Sequence, residues 1–173
     1  MKQFLINLDL HGGDFAPNSV LEGANIAYKN NHSIRFKLHS TKEVYEKYKK
    51  NFFQLFDMSD WIESENYILP EMKPSDALKK NNRKSSMSNA INQLKDDKSQ
   101  MFISAGNTGA MMAYSTVYLR TIENISRPAI ASLFPSTHHP VCFLDLGANS
   151  ECSSENLLEF AVMGSTYYQV LFP

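Results

Sequence analysis

Short apolar runs of strand length alternate with stretches of helical spacing along this chain, and that alternation narrows the fold more than any other feature. "FLINLDL" (4–10) is mostly apolar and carries Asp9 near its end. "HGGDFAP" (11–17) turns the chain, with two glycines free to take positive φ. Pro17 can open a helix, on which Val20, Leu21, Ala24, Ala27 and Tyr28 share one face. "SIRFKLHS" (33–40) alternates Ile34, Phe36 and Leu38 with Arg35, Lys37 and His39, which predicts a strand. Ser40 and Glu43 have the spacing of a capping box ahead of a helix over "TKEVYEKYKK".

The pattern continues to the end. A strand is expected within Trp61 to Leu69, and short helices over "KPSDALKK" (73–80) and "SSMSNAINQLKDD" (85–97). The second is capped by Ser85 or Ser86 and turns Met87, Ala90, Ile91 and Leu94 inward. "MFIS" (101–104), "PAIASLF" (128–134) and "PVCFLDL" (140–146) read as strands, residues 108–119 as a helix, and 153–171 as a long helix begun by Ser153 or Ser154. Strands alternating with helices predict an α/β fold with a mostly parallel sheet. The link between the strands at 128–134 and 140–146 is too short for a parallel crossover, so one antiparallel pair is expected. A chain of 173 residues suits one domain, 1–173, with a real core.

Composition excludes several classes. A formal net charge of -1 gives no field for a polyanion, so nucleic acid is not a partner. Cys142 and Cys152 make no disulfide framework, which points to a reduced, cytosolic setting. "KQFLINLDL" is too short and too quickly acidic for a signal peptide. No apolar run approaches the roughly 18 residues of a membrane-spanning helix.

In parallel sheets, ligands bind beyond the carboxyl ends of the strands. Four loops occupy that kind of position: "DLHGGD", "KSSM", "SAGNTG" and "DLGANS". Asp9, Asp14 and Asp145 bring carboxylates to the same edge. Two readings stand for Ser104 to Gly109. The loop is an anion cradle, with glycine N–H groups and a helix dipole behind it, or Gly106 and Gly109 merely permit a tight turn and close helix packing. A Walker A motif and the GxGxxG fingerprint are both absent. His138-His139 lacks partners at ligand spacing, so no metal is expected. Cys142 reads as a packing thiol. Cys152 precedes a helix N-terminus, where a thiol pKa can fall, but no histidine is near it in sequence and a structural role is favoured. Lys79, Lys80, Arg83 and Lys84 form a basic run beside Ser85-Ser86, which is usually a solvated helix face and otherwise an attractor for a phosphorylated or acidic partner.

"LDLHGGDFAP", "KPSDAL…KSSM", "SAGNTGAMM", "RPAIAS" and "LDLGANSEC…FAVMGS", in this order, resemble the acyl-ACP:phosphate acyltransferases of bacterial phospholipid synthesis, over Met1 to about Val170. The resemblance implies a three-layer αβα sandwich like isocitrate and isopropylmalate dehydrogenases, working as a homodimer. It implies a cytoplasmic enzyme, with peripheral membrane contact, that moves an acyl group from acyl carrier protein to inorganic phosphate without nucleotide or metal cofactor. Phosphate is then the nucleophile, and the protein must hold it against a thioester carbonyl. On loop position and chemistry, Ser104, Gly106, Asn107, Thr108 and Gly109 are assigned to phosphate or oxyanion contacts, with Ser85 and Ser86 at the same pocket. Asn107 and Asn149 are the catalytic candidates, the latter orienting the acyl end, and Asp9, Asp14 and Asp145 brace loops. His11 stands where the family pattern has methionine and Lys79 where it has arginine. The family's chains are about twice as long, so the sequence reads as an N-terminal portion, as from a split or frameshifted gene. A catalytically inactive remnant and a small-anion binding module are the alternatives.

Overall fold

The alternation of Ile6 and Leu8 with Asn7 and Asp9 in strand β1 (Phe4–Asp9) sets the two faces of the sheet. The computed structural model describes residues 3–95 and 99–173. They divide into two compact units, Met1–Leu119 and Arg120–Pro173. In the first unit β1 lies between β2 (Ile34–Ser40) and β4 (Met101–Ile103), and β3 (Asp60–Glu63) extends the sheet beyond β2. All three pairings are parallel, with Leu8 opposite Leu38 and Ile103.

Ile6, Leu8, Phe36 and Leu38 point to one face. They meet Leu21 and Ala24 of α1 (Asn18–Asn30), partly buried residues of α2 (Lys42–Tyr48), and Leu55 of α3 (Phe53–Asp57). Leu10, Leu21, Leu38 and Leu55 are wholly buried, each contributing about 1.5–3 kcal/mol of transfer free energy. On the opposite face Phe102, in register with Asn7, joins a second cluster. That cluster holds Ala77 of α4 (Pro74–Ala77), Met87 and Ile91 of α5 (Ser86–Gln93), and Ala110 and Tyr114 of α6 (Thr108–Tyr118). Helix, sheet and helix therefore form three layers.

Several boundaries differ from the sequence reading, each for a local reason. Ser40 is not a helix cap. It is the last residue of β2, and its hydroxyl accepts the Trp61 indole N–H at 2.9 Å, so Thr41 takes the N-cap position without a side-chain bond. The third strand covers only Asp60–Glu63. Beyond Ser64 the backbone turns to the leader of α5, with Glu65 N–H donating to the Lys84 carbonyl and Asn66 bridging to Ser85. Ser85 is the N-cap of α5, accepting the Ser88 N–H. That helix ends at Gln93, while Asp96 and Asp97, read as its continuation, lie outside the described residues.

In the second unit β5 (Ala131–Phe134) and β6 (Val141–Leu144) form the expected antiparallel pair, as a two-stranded sheet. Helix α7 (Ser154–Leu171) starts with a reciprocal cap, Ser153 accepting the Asn156 N–H and the Asn156 side chain accepting the Ser153 N–H. It packs on β6 through Gly164, where an added Cβ would lie 2.8 Å from a Leu144 methyl. Only Asn156, Phe160 and Gly164 of α7 are buried, a stripe at four-residue spacing. Leu157, Leu158, Val162 and Val170 are exposed by 55–73%.

Tyr114 ties the helical layer of the first unit together. Its hydroxyl hydrogen is shared between the carbonyls of Ala77 (2.7 Å) and Asn82 (2.8 Å), and the side chain is fully buried. Tyr114→Phe leaves both carbonyls without that donor. The expected loss is about 1–2 kcal/mol in urea unfolding; an unchanged midpoint and slope would mean that the hydroxyl holds nothing.

Candidate functional site

The carboxyl end of β1 runs into a turn whose backbone presses on the loop after β4. A Cβ placed on Gly12 would lie 2.5 Å from Ser104 Oγ, 2.6 Å from Gly106 N and 2.9 Å from Ala105 N. No side chain fits between two backbones that close, so residue 12 has to be glycine. Gly13 beside it takes φ of 105°. Asp9 fastens the contact. One carboxylate oxygen accepts the Ser104 hydroxyl at 2.9 Å, and the other accepts the His11 N–H at 3.1 Å. Ser104 Oγ in turn accepts the Gly106 N–H at 3.0 Å. Met87 of α5 reaches the same spot, its methyl 3.2 Å from where a Gly106 Cβ would be.

Asn107 holds the next joint. As N-cap of α6 its carbonyl oxygen accepts the Ala110 N–H at 2.8 Å. Its amide nitrogen donates to the carbonyls of Pro70 (2.7 Å) and Met72 (2.8 Å), with Leu69 at 3.3 Å. The side chain is thereby held by protein partners at both ends, its oxygen by one N–H and its nitrogen by backbone carbonyls. Gly109 has a packing reason, since a Cβ there would lie 2.7 Å from Pro74 Cγ. Thr108 is exposed at the first turn of α6. Among the described residues, the N–H groups of Asn107, Thr108 and Gly109 and the Thr108 hydroxyl donate to no protein acceptor. Backbone donors without protein acceptors at a helix N-terminus favour an anion there.

The other sequence candidates fall in different places. Ser85 caps α5 and lies 3.4 Å from the Tyr114 hydroxyl. Ser86 is fully buried, and its hydroxyl has no partner among the described residues. Asp14 does not brace a loop; it is exposed and makes no hydrogen bond or ion pair with the described residues. Asp145 and Asn149 belong to the second unit. Asp145, at φ of 60°, accepts the Asn149 backbone N–H (3.2 Å) and side-chain amide (3.0 Å) on one oxygen. Asn149 also donates to the Pro128 carbonyl, so its amide nitrogen ties its own loop to the residues ahead of β5. Cys152 is not an activated thiol. Loss of solvent and the Asp145 carboxylate beside it push its pKa up, opposite to the helix-terminus expectation. Gly12, Met87, Pro74 and the Leu69–Met72 carbonyls are the site-forming residues that the sequence reading passed over. Gly12 had a signal in its doublet with Gly13. The others had none, because their contacts cross 19 to 38 residues of chain.

Among the described residues no group of three His, Cys, Asp or Glu side chains could hold a metal ion, and no helix is long and apolar enough to cross a membrane. The fold and these loops define a class: α/β sandwiches with glycine-lined loops at the carboxyl ends of parallel strands. Within it, the chain belongs to the family described as fatty acid synthesis protein, which matches residues 4–172. It is similar to the phosphate acyltransferase of Ehrlichia ruminantium (strain Gardel), 41% identical over 174 residues, covering 96% of this chain and 50% of that protein. The phosphate acyltransferase of Paramagnetospirillum magneticum (strain ATCC 700264 / AMB-1) is 39% identical over 94% of this chain and 46% of its own length. That of Pelagibacter ubique (strain HTCC1062) is 35% identical over 97% and 50%. The chain spans about half the length of the curated relatives it matches.

His11 adds a titratable element to this edge. Its ring stacks on Tyr67, centroids 4.4 Å apart, and its Nε2 accepts the Thr41 N–H at 3.1 Å. An accepting nitrogen carries no proton, so the neutral ring is the form that fits. Burial holds its pKa below the usual histidine value, against the opposing pull of Asp9 and Glu43. The sign follows. A lowered folded pKa gives stability that is present above the unfolded value, about 6.5, and is lost as pH falls through the folded one. The wild-type chain should lose more stability between pH 7 and 5 than His11→Met does, measured by urea unfolding at each pH. Parallel pH profiles would sink this assignment.

Proposed function

We propose that this chain forms the phosphate-binding part of an acyl-ACP:phosphate acyltransferase, which transfers a fatty acyl group from acyl carrier protein to inorganic phosphate for phospholipid synthesis. The observation that carries the reading is the joint of Gly12 with Ser104–Gly106, which leaves the Asn107, Thr108 and Gly109 N–H groups and the Thr108 hydroxyl pointing away from protein acceptors. The names of the relatives agree with it.

In this reading a phosphate oxygen attacks the thioester carbonyl carbon, the carbonyl oxygen becomes a transient oxyanion, and the carrier's thiolate leaves as the C–S bond breaks. The protein supplies position and donors rather than a nucleophile. Thr108 and the backbone N–H groups of 107–109 touch phosphate, while Asn107, Asp9 and Ser104 hold the loop that presents them. Ser85 and Ser86, both buried at the start of α5, support the first unit from within, and Asn149 with Asp145 shapes a loop of the second unit, read as contributing to the acyl end. The chemistry needs no metal or nucleotide. The chain is read as one domain within a longer, dehydrogenase-like sandwich that dimerises in the cytoplasm and touches the membrane peripherally.

A second reading is a folded piece that binds the anion without turnover. It is favoured by the apolar side chains left exposed on α7, where a few hundred Å² of wet surface forgoes about 5–10 kcal/mol. Phosphate titration of the purified chain, with an acyl-phosphate assay, separates the two. Gly12→Ala should weaken phosphate binding at least about tenfold by displacing the loop, and Thr108→Val several-fold by removing one donor. Phosphate binding with no acyl phosphate formed selects the second reading. Equal affinity in wild type and both variants overturns the site.

A further inference from the structure

Five of the chain's 17 cationic side chains, Lys73, Lys79, Lys80, Arg83 and Lys84, fall within residues 73–84 against a single carboxylate, Asp76. All five are exposed. In a chain of net charge -1 this is a local reversal of sign, and only part of it is neutralised. Lys79 pairs with Asp76 at 2.7 Å and Lys84 with Glu65. Arg83 uses only Nε, on the Leu78 carbonyl, and Lys80 has no ion-pair partner among the described residues.

Surface lysines are usually mobile and solvated, and their isolated pairs contribute little. Here the backbone beneath them is fixed. Tyr114 binds the Ala77 and Asn82 carbonyls from below, Asn82 donates to the Asp76 carbonyl at 2.9 Å, and Asn66 donates to the Asn81 carbonyl at 2.7 Å. The turn at Lys80–Asn82 is therefore a platform whose main chain is held at the Asp76, Ala77, Asn81 and Asn82 carbonyls. It is also joined to the candidate site. Pro74, beside Lys73, lies against Gly109, and Asn107 grips the Pro70 and Met72 carbonyls just before it. Five cations on a twelve-residue segment match a face with several carboxylates better than one small anion.

We infer that the Lys73–Lys84 platform is the docking surface for a partner protein with a carboxylate-rich face, and that this partner is the acyl carrier protein that presents its thioester to the adjoining Ser104–Gly109 loop. The inference rests on the function proposed above. Cations on a fixed backbone steer such a partner and set its register at small ordering cost.

The test is titration of the purified 173-residue chain with hexadecanoyl-acyl carrier protein at low and high salt, with inorganic phosphate titrated separately. Lys80→Glu/Arg83→Glu should weaken carrier-protein binding about tenfold or more and flatten its salt dependence, leaving phosphate affinity unchanged. Lys80→Gln/Arg83→Gln, which only neutralises, should fall between, and thermal unfolding of each variant shows that the platform still folds. Lys29→Glu/Lys50→Glu, an equal charge change on exposed residues of the same unit, should stay within about twofold of wild type. Carrier-protein binding that is equal in the platform variants and wild type overturns the docking surface and leaves the proposed function standing. No carrier-protein binding by wild type overturns both. Binding to phosphatidylglycerol vesicles that the platform variants alone abolish, with carrier-protein binding intact, assigns the charges to a membrane surface and overturns the inference.

Discussion

The contact on which the first unit's functional edge depends is the approach of two backbones, Gly12 against Ser104–Gly106. It joins the exit of the central strand β1 to the exit of its neighbour β4, residues some ninety positions apart in the chain. The parallel ladder brings the strand ends level, but it does not decide how the loops beyond them meet. That is settled by a missing Cβ and by the Asp9 carboxylate, which takes the Ser104 hydroxyl on one side and the His11 N–H on the other. A buried carboxylate that accepts two hydrogen bonds is well satisfied. Once it is in place, Ser104 can turn its own lone pair on Gly106, and the start of α6 is aimed.

A shared logic runs through the polar residues of these loops. Asp9, Ser104, Asn107, Asp145 and Asn149 are the groups that chemistry-minded reading selects first, and each has its side-chain hydrogen bonds directed into the protein. What remains outward at the first unit's loop is backbone and the Thr108 hydroxyl. Backbone donors cost no side-chain entropy to hold and cannot be titrated, which makes them good ligands for a doubly charged anion.

Much of the fold was legible in the sequence because its signals are local. The period-two pattern of 34–38 and the helical face from Val20 to Tyr28 rest on neighbours within a few residues and appear as read, and the caps expected at Ser85 or Ser86 and at Ser153 or Ser154 fall on the first serine of each pair. The failures are of two kinds. Ser40 satisfied a local capping rule, but a tertiary partner, Trp61, claimed its hydroxyl. Asp14 shared the composition of a bracing loop without a partner to brace. For the site, the loop at 104–109 could be located from its glycines and hydroxyls. The division of labour inside it could not, because Asn107 answers to carbonyls 35 to 38 residues away and Gly109 to Pro74. Spacing rules carry no information about such partners.

Asn107 carries a consequence for which replacements this position tolerates. One planar amide accepts from Ala110 with its oxygen and faces three carbonyl oxygens with its nitrogen. Aspartate keeps the size and the capping oxygen, yet it would aim a second, charged oxygen at three acceptors. Serine caps as well but is too short to span to the Pro70 and Met72 backbone, and glutamine has a methylene too many for the cap. The joint therefore works as a two-sided key, and none of these three replacements serves both sides.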